Sequence, residues 1–415
     1  MADQPGGDRV LSHRTIALSA AALVLFAVAA CWLLLALYGQ GTDADRARLE
    51  SVRTVGTIVL GAGGAIALLL AARRQQTAEQ DLVTKRHDLR LRERANDDAR
   101  HDAEQRRISN LYLKAVEQLG ADKAPVRLAG LYALERLAQD NAGQRQTIVN
   151  VISAYLRMPY DLPHEEPTKA GDTHWEEYRA CLQEREVRMT AQRILTSHLV
   201  LGDGDGSRFW PDLDLDLSGA ALIELKLHDC SLRNANFARA TFVGQTTLLG
   251  IKFTGSTRFD NAEFLGEAWF AEAEFSDSTH FDSAVFHADA RFDEASFLGA
   301  TVFREAVFLR DARFNKTSFV GKVIFSDAVF QGDADFTGTH LADEAYLPGV
   351  DFGRDARFIE VTFARDGWFL RVSFSGDTSF KDVEFNGNVR FVDCTLDGAD
   401  YTPEEWDPRP NDIFD

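Results

Sequence analysis

From Leu217 to Tyr401 a Phe or Leu recurs at a fixed interval. The first steps are five residues long (Leu217, Leu222, Leu227, Leu232, Phe237, Phe242). Steps of six and five then alternate through Leu248, Phe253, Phe259, Phe264, Phe270 and Phe275, and on to Phe391 and Leu396. Two residues before nearly every one stands a small side chain, such as Ala235, Ala262, Thr279, Ala312, Val361 or Cys394. An α-helix cannot gather this spacing on one face, because its apolar stripe recurs every 3.6 residues. Residues two apart share one face of a strand, so the small residue and the ring point inward and their neighbours outward. The period predicts a solenoid of stacked short strands. With four sides to a coil, one turn takes twenty-two residues, which places Phe270, Phe292, Phe314, Phe336, Phe358 and Phe380 in one internal ladder. At about 4.8 Å per coil, roughly nine coils make a rod on the order of 40 Å long.

Ala290-Arg291-Phe292-Asp293-Glu294 and Ala312-Arg313-Phe314-Asn315-Lys316 carry a resemblance to the pentapeptide-repeat family: small residue, variable residue, central Leu or Phe, two variable residues. That resemblance implies a right-handed quadrilateral β-helix over 217–401. The extra residue at every second step departs from the plain pattern.

The N-terminal half predicts helices. Thr15–Tyr38 and Thr54–Ala72 are charge-free apolar runs, each close to the roughly 20 residues that span a bilayer. The expectation is a cytoplasmic tail (1–14), a first transmembrane helix (15–38), an extracytoplasmic loop (39–53) and a second transmembrane helix (54–72). Arg73, Arg74, Lys85, Arg86 and Arg90 follow the second run, against Arg46, Arg48 and Arg53 in the loop. By the positive-inside rule both termini face the cytoplasm and the protein sits in the cell (plasma) membrane, with the lipid bilayer as its first partner.

Residues 73–120 hold many charges, and no Pro or Gly before Gly120, and predict a charged juxtamembrane helix. Over 121–200 a small helical, HEAT-like module is expected, with Val126-Arg127 and Val187-Arg188 each opening a helix. Its apolar faces are Val126, Ala129, Gly130, Ala133, Leu134 and Leu137; then Ile148, Val151, Ile152, Tyr155 and Leu156; then Val187, Ala191, Ile194 and Leu195. Ala115–Gly120 with Val126–Leu137 resembles a block of membrane-anchored pentapeptide-repeat proteins of actinobacteria. An acidic linker (201–216) leads to the solenoid, and 402–415, with Trp406 and Phe414, is the expected C-terminal cap over an otherwise open strand edge.

The chain has 64 Asp and Glu against 45 Lys and Arg. Residues 201–415 hold 39 of those acids and 19 of the bases, so the solenoid carries a net charge of −20. A solubilising acidic face is the simple account. Cys31, Cys181, Cys230 and Cys394 show neither disulfide nor zinc spacing.

No catalytic constellation emerges: His164-Glu165-Glu166 lacks a second His, and no cluster of His and carboxylates falls on one stack. Asp212, Asp214 and Asp216 after the Gly202–Gly206 run lack the spacing of a Ca²⁺ loop. No cofactor, metal or enzymatic activity is expected.

The twenty-two-residue stack does align outward columns. Val302, Ile324, Tyr346 and Trp368 fall at one position on successive coils, flanked by His280 and Arg390, and Val285, Val307 and Val329 lie on the adjoining face. These seven apolar residues are the candidate partner surface, for an unknown cytoplasmic protein or a homo-oligomer. Arg291, Arg313 and Arg357, interrupted by Asp335, form a second column. The leading expectation is a membrane-anchored, non-enzymatic scaffold without direct nucleic-acid binding. The alternative rests on the family resemblance, since some members mimic duplex DNA and bind topoisomerases such as gyrase.

Overall fold

The computed structural model describes residues 13–38, 43–161, 174–202 and 208–403. Two compact units divide it, 1–103 and 104–415.

The first unit contains α1 (His13–Tyr38) and the larger part of α2 (Asp43–Leu119). Among the described residues α2 is the one helix long and apolar enough to cross a membrane. Its apolar side chains are uncovered, with Leu60 77 %, Leu68 73 % and Leu69 68 % exposed. In α1 the apolar piece among the described side chains is Leu25–Leu34, within the longer helix His13–Tyr38. Among the described residues, one of the two expected spans is therefore present as an apolar helix of membrane-spanning length. The expected loop 39–53 is also shorter, since helix begins at Asp43. That stretch has neither Gly nor Pro, and Asp43 and Asp45 in the first turn suit the positive end of a helix dipole.

The second unit opens with the last turns of α2. α3 (Ala124–Asp140), α4 (Arg145–Leu156) and α5 (His174–Ser197) follow. Pro125 sits in the first turn of α3, where its missing N–H costs nothing. The α3 face is rotated from the expected one: Leu131, Leu134, Leu137 and Ala138 are buried while Ala129 and Ala133 are exposed. The cause is Gly130. A Cβ there would stand 2.7 Å from the Leu119 amide nitrogen and 2.8 Å from the Ala115 carbonyl, so α2 lies directly against the α3 backbone. The two motif arginines converge: Arg127 (3.1 Å) and Arg188 (2.8 Å) both pair with Glu184. Arg188 is buried and also donates to the Leu156 and Met158 carbonyls, at 2.9 and 2.7 Å.

From Leu215 the chain winds as a right-handed β-helix of about eight turns. Four parallel sheets of nine, ten, seven and eight strands form its sides, the ten-stranded one ending in a single antiparallel strand. One coil shows the plan: Thr301–Val302 on the first side, Val307–Phe308 on the second, Ala312–Arg313 on the third, Ser318–Phe319 on the fourth. Register advances twenty-two residues per coil, as in Ala290↔Ala312 and Phe297↔Phe319. The first step is twenty residues, Leu215↔Ala235, where the sequence runs in plain fives.

The predicted ladder is present. Phe270, Phe292, Phe314 and Phe336 stack with ring centroids 4.8 Å apart and planes within 5°. That spacing is the strand separation imposed on the rings. Neighbouring ladders meet edge to face, as Phe314 does Phe325 at 5.7 Å and 88°, an arrangement that suits the aromatic quadrupole. Small residues such as Ala290, Ala312 and Ala334 are fully buried beside them.

The start of the stack is covered by helices, and among the described residues the far end is closed on one of its four sides. At the start, Gln192 of α5 exchanges two hydrogen bonds with the Ile223 backbone, at 2.8 and 2.9 Å. Gln146 of α4 does the same with Asp214. Each primary amide imitates a neighbouring strand, so the helices cover an edge that would otherwise pair with other chains. At the far end Ala399–Asp400 turns back antiparallel on Thr395–Leu396, and the Tyr401 ring meets Phe374. The expected cap residues Trp406 and Phe414 lie outside the described residues.

The buried thiols report on these ends. Cys230 is fully buried and its thiol is pushed up to about 12 by burial; burial also raises Cys394. A thiolate is the reactive form, so at pH 8 a maleimide should modify Cys181 in the native protein and reach Cys230 and Cys394 only after denaturation. Native labelling of Cys230 would contradict the packing of the first coil.

Candidate interaction surface

On the first side, strand pairing puts His280, Val302, Ile324, Tyr346, Trp368 and Arg390 in one register. Each outward residue stacks on the one above, so the column is half-buried and Val302 keeps only 9 % of its surface. Tyr346 and Trp368 stack at 4.2 Å, and the Lys322 ammonium sits 3.8 Å from the Tyr346 ring centre while pairing with Glu344. On the second side Val285, Val307 and Val329 also align, between Glu263 and Asp351.

Sequence reasoning missed a neighbouring column. The Asp327 N–H donates to the Pro348 carbonyl, Gly349 to Leu370, and Arg371 to Val392, which aligns Pro348, Leu370 and Val392 beside the aromatic pair. Val392 is 44 % exposed. The signal was available: these residues stand two after the strand's outward position, at the same twenty-two-residue period.

The third side holds Trp269, Arg291, Arg313, Asp335 and Arg357 in register. Arg291 lies over the Trp269 ring at 5.2 Å, and Arg357 pairs with Asp355 (3.0 Å) and Asp333 (3.6 Å). Alongside runs a column of acids whose carboxylates cap the corners: Asp311 accepts from the Asp333 amide and Asp355 from the Asp377 amide, each at 3.1 Å. Much of this charge is thus committed to holding the coils together.

One group of a His and two carboxylates lies across two columns. Asp260, His280 and Asp282 do come together, with their ligand atoms within 4.8 Å. They were missed because they belong to adjoining columns. Arg258 pairs with Asp260 at 2.8 Å and Arg304 with Asp282 at 3.6 Å, so guanidinium groups already neutralise both carboxylates. The arrangement is an ion-pair ladder. Asp214 and Asp216 likewise pair with Arg233 and Arg157, and the Arg233 guanidinium holds the Asp214 carboxyl below its ordinary range.

Comparison with known proteins places the repeats. The family profile described as Pentapeptide repeats (9 copies) matches residues 248–296, 281–327, 292–340 and 314–362. No curated protein matches the chain, and no solved structure does.

Proposed function

The C-terminal half is a pentapeptide-repeat solenoid, and from that premise we propose that the protein is a membrane-tethered scaffold whose first side recognises a protein partner. One observation carries the reading: a continuous apolar column, Val302 to Trp368, held in fixed register on an otherwise strongly acidic rod. Apolar residues gathered on a soluble surface mark contact sites more often than scattered ones do. The uncovered apolar stretch of α2 supports the tether, and the excess of Arg and Lys after it supports a cytoplasmic solenoid. The acidic charge does not favour DNA mimicry, because Arg291, Arg313 and Arg357 break up the field on the third side.

Affinity capture from native membranes tests both parts. The full-length protein should stay in the membrane fraction after an alkaline carbonate wash. Trp368→Glu should lose the captured partner while the rod stays folded, because Trp368 is half-buried on the outer face and is not part of the Phe core. Release into the soluble fraction would refute the tether, and an unchanged partner set would refute the surface.

A further inference from the structure

Four outward columns run along the first side, held in register by the strand pairing. Val302, Ile324, Tyr346 and Trp368 form the middle one. Arg304, Ser326, Pro348 and Leu370 lie beside it. One corner carries Ala300, Lys322, Glu344 and Asp366, and the other Glu305, Asp327, Gly349 and Arg371. Each coil contributes one row, such as Lys322, Ile324, Ser326 and Asp327.

Two like faces related by a two-fold axis must be complementary to themselves. With the axis across the rods, each column meets the same column running the other way. An axis midway between the Ile324 and Tyr346 rows sets Val302 opposite the partner's Trp368 and Ile324 opposite the partner's Tyr346. A smaller side chain then meets a larger one at every step. The same register sets Lys322 opposite the partner's Glu344 and Glu305 opposite the partner's Arg371, each pair occurring twice. Lys322 already reaches Glu344 of its own chain at 3.3 Å, so the four groups close into one cluster of alternating sign. Asp366 faces the partner's Ala300, and Asp327 the partner's Gly349. Arg304, paired with Asp282 at 3.6 Å, faces the partner's Leu370. No acid opposes an acid over the six rows from His280 to Arg390.

Other registers fail on charge, since opposed like charges are costly. One row further along, Glu344 meets the partner's Asp366 and Asp327 the partner's Asp393. One row back, Glu305 meets the partner's Asp327. An axis through the Tyr346 row sets Glu344 on its own copy, and one through the Ile324 row does the same to Lys322 and Asp327. Parallel rods set Arg390 on Arg390 and Trp368 on Trp368, which holds Val302 and its copy apart.

We propose that two copies associate through their first sides as an antiparallel two-fold dimer, its axis between the Ile324 and Tyr346 rows. The inference rests on the first side being the recognition surface and names a second copy of this chain as the partner. Six rows span ~24 Å and five strand residues ~16 Å, a footprint of ~400 Å² per copy. That is about half of what a standard stable complex buries, so the dimer is weak in solution, and a shared membrane strengthens it by raising the effective concentration.

Sedimentation equilibrium of the full-length protein in density-matched detergent reads the association. The parent chain should dimerise with a Kd of about 1–100 µM. Trp368→Glu and Glu305→Arg should each weaken it about tenfold or more, the first by removing the largest apolar contact and the second by opposing guanidinium groups. Within one chain Glu305 and Arg371 stand three coils apart, ~14 Å, so their charges pair only across copies. Glu305→Arg combined with Arg371→Glu should therefore recover the parent Kd to within about threefold. Arg313→Gln, on the third side, should leave it unchanged. A parent chain still monomeric at about 500 µM overturns the inference. So does a dimer that Trp368→Glu leaves intact, or a double variant no tighter than Glu305→Arg alone, the result a parallel pair would give. If the parent is monomeric while Trp368→Glu still loses a different captured protein, the second-copy inference falls and the scaffold reading stands.

Discussion

Phe314→Asp should collapse the middle of the rod. Phe314 is fully buried, stacked at 4.8 Å between Phe292 and Phe336 and met edge-on by Phe303 and Phe325. Removing such a ring costs about 3–5 kcal/mol. A buried carboxylate without a partner adds several more. Because each coil is stabilised by its neighbours, the defect propagates in both directions. The far-ultraviolet melt should drop by on the order of 10 °C or more, or lose cooperativity. Phe314→Leu is the control, since Leu341 and Leu347 already occupy ladder positions on other coils. Its cost should stay near 1–2 kcal/mol. Equal melts for Phe314→Asp and the parent protein would invalidate the register.

The second large effect is expected at the opposite scale, one amide group. In Gln192→Leu the side chain keeps its bulk but can no longer pair with the Ile223 N–H and carbonyl, both buried under α5. Each unsatisfied group costs about 1–3 kcal/mol. The Gln146 pair with Asp214 is only partly buried, so water can replace it and Gln146→Leu should cost less than about 1 kcal/mol. Hydrogen exchange read by mass spectrometry should show faster exchange across 213–232 in Gln192→Leu, with 290–320 unaffected. Unchanged protection would mean that the glutamine does not hold the edge. The same geometry makes the helices of 104–200 part of the solenoid's folding unit, so a fragment starting at 217 loses its cover.

The solenoid could be read from the chain because its period is strict. Six Phe rings twenty-two residues apart admit one arrangement, and the ladder from Phe270 to Phe380 follows it. What escaped depends on contacts distant in sequence. Gln192 and Gln146 meet strand backbone 31 and 68 residues away, and nothing in an isolated glutamine announces that partner. Gly130 rotated the α3 face through a close approach of α2, which a helical period alone does not register. Asp260 and Asp282 share one column and His280 lies in the next, just as Pro348, Leu370 and Val392 lie beside the column of Trp368, so reading one column at a time left both groups unassembled. The seven apolar residues of the two columns were placed correctly in register, but their half-burial comes from stacking and not from sequence.

The distance between Lys252 and Glu384 tests the four-sided stack most directly. Both are exposed on the fourth side, joined by six register steps through Glu274, Ser296, Ser318, His340 and Thr362. Spin labels at the two positions, with Cys31 and Cys181 replaced by Ser, should give a narrow pulsed-resonance distance near ~29 Å, six spacings of ~4.8 Å. A broad distribution, or a mean displaced from that value by more than the reach of the labels, would contradict a β-helix of twenty-two-residue coils.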